Sequence, residues 1–446
     1  MSSTIDAELQ GLGFAMVIVA VPDPADVKEL GRNFVASQAT PDGALAVASK
    51  SAGEPTRPSK PYRWYPGLGL MLGAVDAAGL DALNADGRAK DVQGAPQFSL
   101  IRPVGARSRR KSFSASYGLK LLKVPELWDL GLEGSGVLVG HLDTGVDGRH
   151  PALRGQVAHY AEFDARGDVV PNATPVDSGD HGTHTAGSIV GRAVGGRMFG
   201  VAPRAKLASG MVIEGGNVVA RVIGGMEWLV TKKARLLSLS LGLRGFWPDF
   251  QVVAAALRRN GILPIVASGN EGPGASRSPG NYPNVLSVGA CDKTIAVADF
   301  SCSQRFARPD DPLVPDIVGP GVDIPSCVPG NAYETMSGTS MATPHIAGLA
   351  ALLLGAKPSA TVDELEAAIL QSCALHTMLS ERANRGLPDG LRALEILTGR
   401  PVEVAPVKRR PRKAPAKKAT AKKPAAKKPA PKKPAARKPA VKRRAA

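Results

Sequence analysis

The chain has 446 residues, which is enough for one large domain together with smaller accessory segments. A hydrophobic fraction of 43% and 50 glycines are typical of a folded α/β protein with many tight turns. The net charge of +17 would indicate a polyanion-binding protein if it were spread over the whole surface. However, residues 401–446 hold 18 Lys or Arg and one acid, Glu403, whereas the first 400 residues hold 38 basic and 38 acidic residues. The folded part is therefore neutral, and the charge belongs to the C-terminal tail.

Cysteine content and hydropathy exclude further classes of protein. Four cysteines are too few for a disulfide scaffold in a chain of this length, and they are predicted to be reduced core residues. No run of about 18 apolar residues was recognised, so no membrane span is predicted. The apolar run at 14–21 follows acidic residues and leads directly into a Pro-Asp-Pro turn, so it is predicted to be a buried strand rather than a secretory signal. A cytoplasmic location is the resulting expectation.

The N-terminal quarter of the chain is predicted to form a module of its own. Residues 1–12 are predicted to be disordered, and residues 13–104 to form an α+β domain, followed by a polar, basic linker at 105–116. Within the module we expect strands at 14–21, 68–75 and 97–101, helices at 25–37 and 77–89, and a Pro-rich loop at 53–66.

Residues 117–400 alternate short apolar strands with helical stretches, as in a parallel sheet covered by helices on both faces. Predicted strands lie at 136–142, 236–241 and 262–267, and binding sites in such sheets lie beyond the carboxyl ends of the strands. Residues 401–446 consist of Ala, Lys, Arg and Pro with almost no large apolar side chain, which predicts a disordered tail. The predicted fold class is α/β.

Four polar residues lie where catalysis would need them. Asp143 follows an apolar strand within the sequence LDTGVDG, His181 lies within DHGTHTAG, and Ser340 lies within SGTSMATPHIAG at a predicted helix N-terminus. A serine hydroxyl becomes a nucleophile when an imidazole takes its proton, and a carboxylate orients that imidazole and stabilises its charge. Asn270, in the strand-end sequence SGNEG, offers an amide donor for the oxyanion of a tetrahedral intermediate. The set predicts peptide-bond hydrolysis.

Each of these residues also has an interpretation without catalysis. Asp143 alone could be a solvated carboxylate at a strand end, and Ser340 could cap its helix. His181 and His184 could be a metal-binding pair, but no third ligand is arranged convincingly near them. Asn270 could merely occupy a left-handed turn position. The catalytic interpretation is favoured because all four occur together.

Taken in chain order, these segments resemble those of the subtilisin-like serine proteases, or subtilases (peptidase family S8), over about residues 120–398. The resemblance implies a subtilisin-like α/β sheet sandwiched by helices, and a serine endopeptidase. It also implies that Asp143 orients the imidazole, that His181 acts as general base and then acid, and that Ser340 attacks the peptide carbonyl. The Asn270 amide and the Ser340 backbone N–H would form the oxyanion hole.

The resemblance also implies where the substrate lies, and it gives His184 a structural role. Glu271 lies near the pocket for the residue before the cleaved bond, where it would favour a basic residue or remain a solvated rim carboxylate. Leu243 stands where the family often has a second glycine, which changes the entrance of that pocket. The substrate strand would pair with Ser240, Leu241 and Gly242, and the pocket would lie between these residues and Ala267, Ser268 and Gly269.

The module at 13–104 resembles the inhibitory (I9-like) propeptide of the same family, which is ferredoxin-like, most clearly in its strand-helix-strand run from 68 to 101. The resemblance implies a zymogen, in which the module helps the protease to fold and blocks the cleft with its C-terminal end. Self-cleavage is expected between about Val104 and Ser116. The alternative is an ordinary accessory domain that stays attached.

Partners and cofactors follow from the same resemblance. Protein or peptide substrates and the chain's own propeptide are expected partners, and no cofactor is expected. Subtilases often bind structural calcium, but no loop is assigned to it. The tail at 401–446 is predicted either to bind nucleic acid or another polyanion without sequence preference, or to be a solubilising segment. Two other functions stay open: a peptide cyclase or ligase that uses the same triad, and a nucleic-acid-tethered inactive protease-fold protein.

Overall fold

The computed structural model describes residues 3–35, 37–39, 45–47, 61–96, 98–109, 115–213 and 217–402. The predicted tail beyond residue 402 and the part of the predicted Pro-rich loop before residue 61 lie outside these ranges. Residues 110–114 of the predicted linker also lie outside these ranges.

A sheet of seven parallel strands forms the centre of the larger domain. The three strands predicted from the sequence all belong to it, with ends that differ by one or two residues. The parallel pairing confirms the predicted α/β fold class. Across the sheet the strands are, in order, Val157–Glu162, Lys206–Met211, Leu138–Asp143, Leu236–Leu239, Leu263–Ala267, Leu286–Cys291 and Ile317–Pro320.

Helices cover both faces of this sheet. Successive residues of a strand point to opposite faces, and Leu236 and Leu237 accordingly belong to two different hydrophobic cores. The near-continuous burial of these strands explains why they read as uniformly apolar runs rather than as alternating patterns. One core is covered by the helices His181–Val190 and Thr339–Ala356, and the other by Val218–Thr231 and Gln251–Arg259.

The helix Thr339–Ala356 passes through the first of these cores. In the described ranges it is the one helix long and apolar enough to cross a membrane, but 89% of it is buried inside the fold, as expected for a core helix. Its sequence contains no unbroken run of 18 apolar residues because Thr, Ser, Pro and His interrupt its first two turns. Its N-terminus places Ser340 at the edge of the sheet where the strands end.

The N-terminal module contains a separate antiparallel sheet of four strands. Its order is that of a βαββαβ, or ferredoxin-like, arrangement, with the first strand in the middle. Val17 and Val19 pack against the module's own helices, whereas Met16 and Ile18 face the larger domain. Across the sheet the strands are Tyr62–Tyr65, Leu70–Val75, Ala15–Ala20 and Lys90–Gly94.

The module packs directly on the larger domain through this second face. Its apolar residues share one core with the helices that cover the sheet, and Ile18 and Trp228 both belong to it. At the border the carboxylate of Glu227 accepts the backbone N–H groups of Gly67 and Leu68, each at 2.9 Å. The module is thus held by apolar packing together with charge-assisted hydrogen bonds.

Several sequence predictions for the module differ from the structure. Residues Ser3–Leu12, predicted to be disordered, form a helix because Ile5 and Leu9, one turn apart, pack on the module's core. The predicted helix at 25–37 is only the short turn Val27–Leu30 with 3₁₀ turns on either side, and the strand Lys90–Gly94 was not predicted. The helix predicted at 77–89 ends earlier, as Ala77–Ala85, with Asp76 as its N-cap.

The remaining elements are short or peripheral. The helix Val362–Gln371 begins with a capping box between Thr361 and Glu364, which satisfies backbone donors at its first turn. The other helices are Tyr117–Leu121, Val124–Asp129, Ser380–Ala383, Gly390–Thr398 and the 3₁₀ turn Pro248–Phe250. The other strands are Ser37–Ala39, Leu45–Val47, Ser99–Leu100, Val104–Arg109, Leu241–Arg244, Arg277–Ser278, Gln304–Arg305, Leu313–Val314, Ile324–Val328, Ala332–Ser337, Cys373–Ala374 and Leu387–Pro388.

Candidate active site

Asp143 and His181 meet at the carboxyl edge of the central sheet. Asp143 is the last residue of its strand, His181 is the first residue of its helix, and His181 Nδ1 lies 2.8 Å from Asp143 Oδ1. Thr144 N–H and the Thr185 hydroxyl donate further hydrogen bonds to this carboxylate, at 2.7 and 3.2 Å. Burial alone would raise the pKa of Asp143, but the charge and hydrogen bond of His181, with smaller effects of His141 and the Thr144 N–H, lower it below its ordinary value. Asp143 is thus held as a carboxylate.

Ser340 lies in the same cleft, on the first turn of the helix Thr339–Ala356. Its hydroxyl donates a hydrogen bond of 2.7 Å to the carbonyl oxygen of Ile101, which belongs to the chain's own N-terminal part. His181 Nε2 is buried and has no hydrogen-bond partner among the described residues. His181 and Ile101 line one cavity of about 760 Å³. His181 Nε2 thus accepts no hydrogen bond from a described residue, and the Ser340 hydroxyl donates its proton to the Ile101 carbonyl instead.

Asn270 faces the cleft in a fixed orientation. Its side-chain oxygen accepts hydrogen bonds from the backbone N–H and the hydroxyl of Thr339, both at 2.9 Å. The amide nitrogen is therefore turned outward, and it donates a 2.9 Å hydrogen bond to the carbonyl oxygen of Arg102. An amide held in this way is suited to bind an oxyanion near Ser340, since Thr339 precedes the serine directly.

Residues Ser99–Arg102, called here the cleft segment, lie along the edge of the site as an extended strand. Leu100 pairs with Leu241 and Ser99 with Gly242 in antiparallel register, and Ile101 N–H donates to Ser240 O at 3.1 Å. The three residues expected to bind a substrate strand, 240–242, thus bind a strand of the same chain.

The peptide beside Ser340 lies outside the window expected for self-cleavage. Ser340 contacts the carbonyl of Ile101, three residues before Val104. The strand Val104–Arg109, of which residues 105–109 were predicted to be linker, pairs with the hairpin of Ile324–Val328 and Ala332–Ser337. The polar composition of residues 105–109 suggested a free linker, but backbone pairing with the strand Ala332–Ser337 fixes this segment in the fold.

The second predicted wall of the pocket, residues 267–269, is buried behind the cleft. Ala267 ends its strand, and the Ser268 hydroxyl faces Cys302 O at 3.4 Å rather than the cleft segment. Gly269 has a φ of +115°, and a Cβ there would lie 2.8 Å from the Glu271 carboxylate. No side chain would fit at that position, which explains the glycine.

Glu271 is neither a solvated rim carboxylate nor free to attract a basic substrate residue, so both sequence interpretations were wrong. It lies 2.6 Å from Arg277 Nη2 and 3.2 Å from Arg244 Nε. Burial would raise its pKa, but the hydrogen bonds and charge of Arg277 lower it. The sequence did not suggest these ion pairs, because Arg244 is far from Glu271 along the chain and Arg277 follows it after an irregular loop.

His184 does not join His181 in a metal site. Its Nε2 faces the carbonyl of Ile324 at 3.1 Å, whereas His181 faces Asp143. Burial lowers the pKa of His184 to about 3, so the ring is neutral. Over the described ranges, no three His, Cys, Asp or Glu side chains are placed to hold a metal ion.

A histidine that sequence reasoning missed, His141, lies within the sheet behind Asp143. Its Nδ1 and Nε2 lie 2.9 Å from the hydroxyls of Ser209 and Thr185, and Nε2 lies 3.9 Å from the Asp143 carboxylate. Asp143 therefore has two histidines beside it, His181 at the cleft and His141 inside the sheet, and His141 is bonded to a serine. Ser209 is fully buried on its strand, away from the cleft segment, whereas Ser340 contacts it. The signal in the sequence was a lone histidine in an apolar strand.

Comparisons with known proteins agree with this geometry. The profile of the Subtilase family (Peptidase_S8) matches residues 134–393. The chain is 34% identical over 244 residues to the major intracellular serine protease of Bacillus subtilis (strain 168), covering 53% of this chain and 74% of that protein. It is 36% identical over 300 residues to M-protease of Shouchella clausii (strain KSM-K16), covering 67% and 71%.

A longer relative matches over a small part of its length. Bacillopeptidase F of Bacillus subtilis (strain 168) is 33% identical over 303 residues, which is 60% of this chain but only 21% of that protein. Since the family profile covers more than half of the chain, the chain belongs to the subtilase family of serine endopeptidases.

Proposed function

We propose that Asp143, His181 and Ser340 are the catalytic triad of this endopeptidase and that Asn270 supplies the oxyanion donor. The observation that carries the proposal is the 2.7 Å hydrogen bond from Ser340 Oγ to a peptide carbonyl held in an extended strand. His181 Nε2 takes the serine proton as Oγ attacks the carbonyl carbon, and later gives it to the leaving amine. Asp143 holds the imidazole by Nδ1 and stabilises its positive charge.

We further propose that the N-terminal module is an intramolecular inhibitor that the enzyme removes by cutting its own chain. The cleft segment occupies the substrate strand position, and the module behind it is anchored by apolar packing and by Glu227. The peptide bond addressed by Ser340 is Ile101–Arg102. Cleavage there needs the Ile101 carbonyl to reach the Asn270 amide, which in the uncut chain binds the next carbonyl.

Intact-mass analysis of the wild type beside Ser340→Ala tests both proposals. Wild-type protein should convert to a fragment that begins at Arg102, while Ser340→Ala should keep its full mass and fail to react with a fluorophosphonate. A wild-type protein that hydrolyses peptides at full rate while uncut would count against the inhibitor. Product masses larger than the substrate would identify ligation instead of hydrolysis.

We propose that the tail at 401–446 tethers the enzyme to nucleic acid or another polyanion, because it carries the whole net charge of the chain. We also propose a cytoplasmic location, which the four free cysteines support, three of them buried. Fractionation of cells that express the full chain tests the location. No cofactor is proposed, since the triad reaction uses side chains only, and activity should survive dialysis against a chelator.

A further inference from the structure

Arg277 lies directly beneath the cleft segment. Its Nη1 donates hydrogen bonds to the carbonyl oxygen of Gly242 at 3.1 Å and to the hydroxyl of Ser99 at 3.3 Å. Ser99 is paired with Gly242 in the ladder, and its hydroxyl also donates a 3.2 Å hydrogen bond to the carbonyl oxygen of Gly242. The Arg277 side chain is only 10% exposed. The Arg277 guanidinium is therefore already positioned to contact the side chain of a substrate residue that binds where Ser99 lies.

The positive charge around this contact exceeds the negative charge. Arg277 and Arg244 share one acid, Glu271, at 2.6 and 3.2 Å. The Glu271 carboxylate also accepts the backbone N–H of Asn270 at 3.0 Å and the thiol of Cys302 at 3.3 Å. Two arginines against one carboxylate leave a surplus of one positive charge, and Arg244, Arg277 and Glu271 all line the cavity of the cleft.

We propose that this cleft selects substrates with an acidic side chain, and Asp above all, at the position of Ser99. This inference rests on the proposed function, in which Ser99 is the third residue before the cleaved bond. A carboxylate there would accept the hydrogen bond that the Ser99 hydroxyl now accepts from Arg277, with the added attraction of opposite charges. A lysine at the same position would meet the surplus positive charge and be repelled.

The effect is limited by solvent, because Ser99 is exposed and ion pairs at exposed positions are weakened by water. We therefore expect Asp to be favoured over Lys by about fivefold in kcat/KM, which is the range of the better exposed pairs. The preference should fall as the salt concentration rises, since charges at the surface are screened by ions. A preference based on side-chain size would not respond to salt.

The inference is tested on the self-processed enzyme obtained from the full-length chain. The substrates are fluorogenic peptides based on residues 97–104, with Asp, Asn, Ser or Lys at the position of Ser99. The expected order of kcat/KM is Asp first, Asn and Ser next, and Lys last. Equal cleavage of the Asp and Lys peptides by an enzyme that cleaves the Ser peptide would overturn the inference and leave the proposed function standing. A folded full-length protein that neither processes itself nor cleaves any of the peptides would count against both.

Arg244 provides the sharper variant because it is 77% exposed and its replacement should not disturb the fold. Arg244→Ala should lower the Asp-to-Lys ratio by at least half, and Arg244→Glu should reverse it. Arg204→Ala is the matched control, since Arg204 is 69% exposed and its Nε likewise contacts a glutamate, Glu133, away from the cleft cavity. A ratio that changes equally in the Arg204 variant would show that overall charge, and not this contact, decides the preference.

Thermal unfolding of inactive variants gives a second test that does not depend on catalysis. In the Ser340→Ala background the cleft segment stays attached, so Ser99→Asp should raise the melting temperature and Ser99→Lys should lower it. Asp81→Lys, at an exposed position on the helix Ala77–Ala85 of the same module, is the control for a general charge effect. A lower melting temperature for Ser99→Asp than for Ser99→Lys would overturn the inference even if both variants were inactive.

Discussion

The Asn270 amide nitrogen lies 2.9 Å from the Arg102 carbonyl oxygen, one residue beyond the carbonyl that Ser340 contacts. The side chains proposed as nucleophile and oxyanion donor therefore contact successive peptide groups of the cleft segment. Under the proposed mechanism the segment must shift before attack, because both groups have to act on the same carbonyl.

Asn270→Ala should reduce turnover of a peptide substrate by roughly 10²–10³-fold. The reason is that the amide would stabilise the negative charge that develops on the carbonyl oxygen, and this magnitude is the one established for the oxyanion asparagine of subtilisin. Steady-state kinetics should show the loss in kcat rather than in KM. Asn284→Ala removes an amide that binds Gln251 O away from the cleft, and it serves as the control. A loss below fivefold would mean that Asn270 is not the donor.

Ser209→Ala and Ser340→Ala distinguish the serine at the cleft segment from the serine that is bonded to His141. Ser340→Ala should abolish hydrolysis and labelling by a fluorophosphonate, because its hydroxyl contacts the peptide in the cleft. Ser209→Ala should keep labelling and most activity, since among the described residues the Ser209 hydroxyl bonds His141 inside the sheet and not the cleft segment. Labelling that survived in Ser340→Ala and vanished in Ser209→Ala would reverse the assignment.

Asp316 should make the protein less stable as the pH rises. Burial raises the pKa of this carboxyl from 3.8 to about 8, so between these values the folded state binds a proton that the unfolded state has lost. The contribution is therefore fully present below about pH 4 and is lost as the pH rises toward 8, by up to about 1.4 kcal/mol per pH unit.

The substitution Asp316→Asn tests this dependence in the Ser340→Ala background, where self-digestion cannot interfere. The difference in unfolding free energy between pH 5 and pH 8, measured by urea denaturation, should shrink in this variant. The same substitution at the exposed Asp310 is the control. An unchanged pH dependence in Asp316→Asn would show that the carboxyl is already ionised at pH 5.

Removal of the residues after Val404 should abolish salt-sensitive binding to DNA. The 18 cations of the tail are the only excess charge of the chain, and each phosphate contact releases counterions, so affinity should fall steeply between about 50 and 200 mM salt. Val402, which binds Glu395 at 3.0 Å, remains in the truncated chain. Gel-shift assays test the binding, and kcat on a short peptide should not change. Equal DNA binding by the truncated chain would refute the tether.

The sequence by itself determined the α/β class, the order of the site segments and the position of the strands that carry them. Three strands of the central sheet were recognisable because strands buried on both faces are uniformly apolar. The four site residues were recognisable because each lies at or near the end of a strand or the start of a helix, where a polar residue interrupts an apolar pattern. They are Asp143, His181, Asn270 and Ser340.

Only the tertiary structure decided what these residues touch. Sequence distance hides that Ile101 reaches Ser340 across 239 residues and that Arg277 reaches Ser99 across 178. His141 was missed because a single polar residue in a strand has no pattern, and its partners come from another strand and a helix. Composition placed the expected cleavage window after Val104, whereas Ser340 contacts Ile101, because backbone pairing, which is independent of side-chain type, fixes the register of the cleft segment.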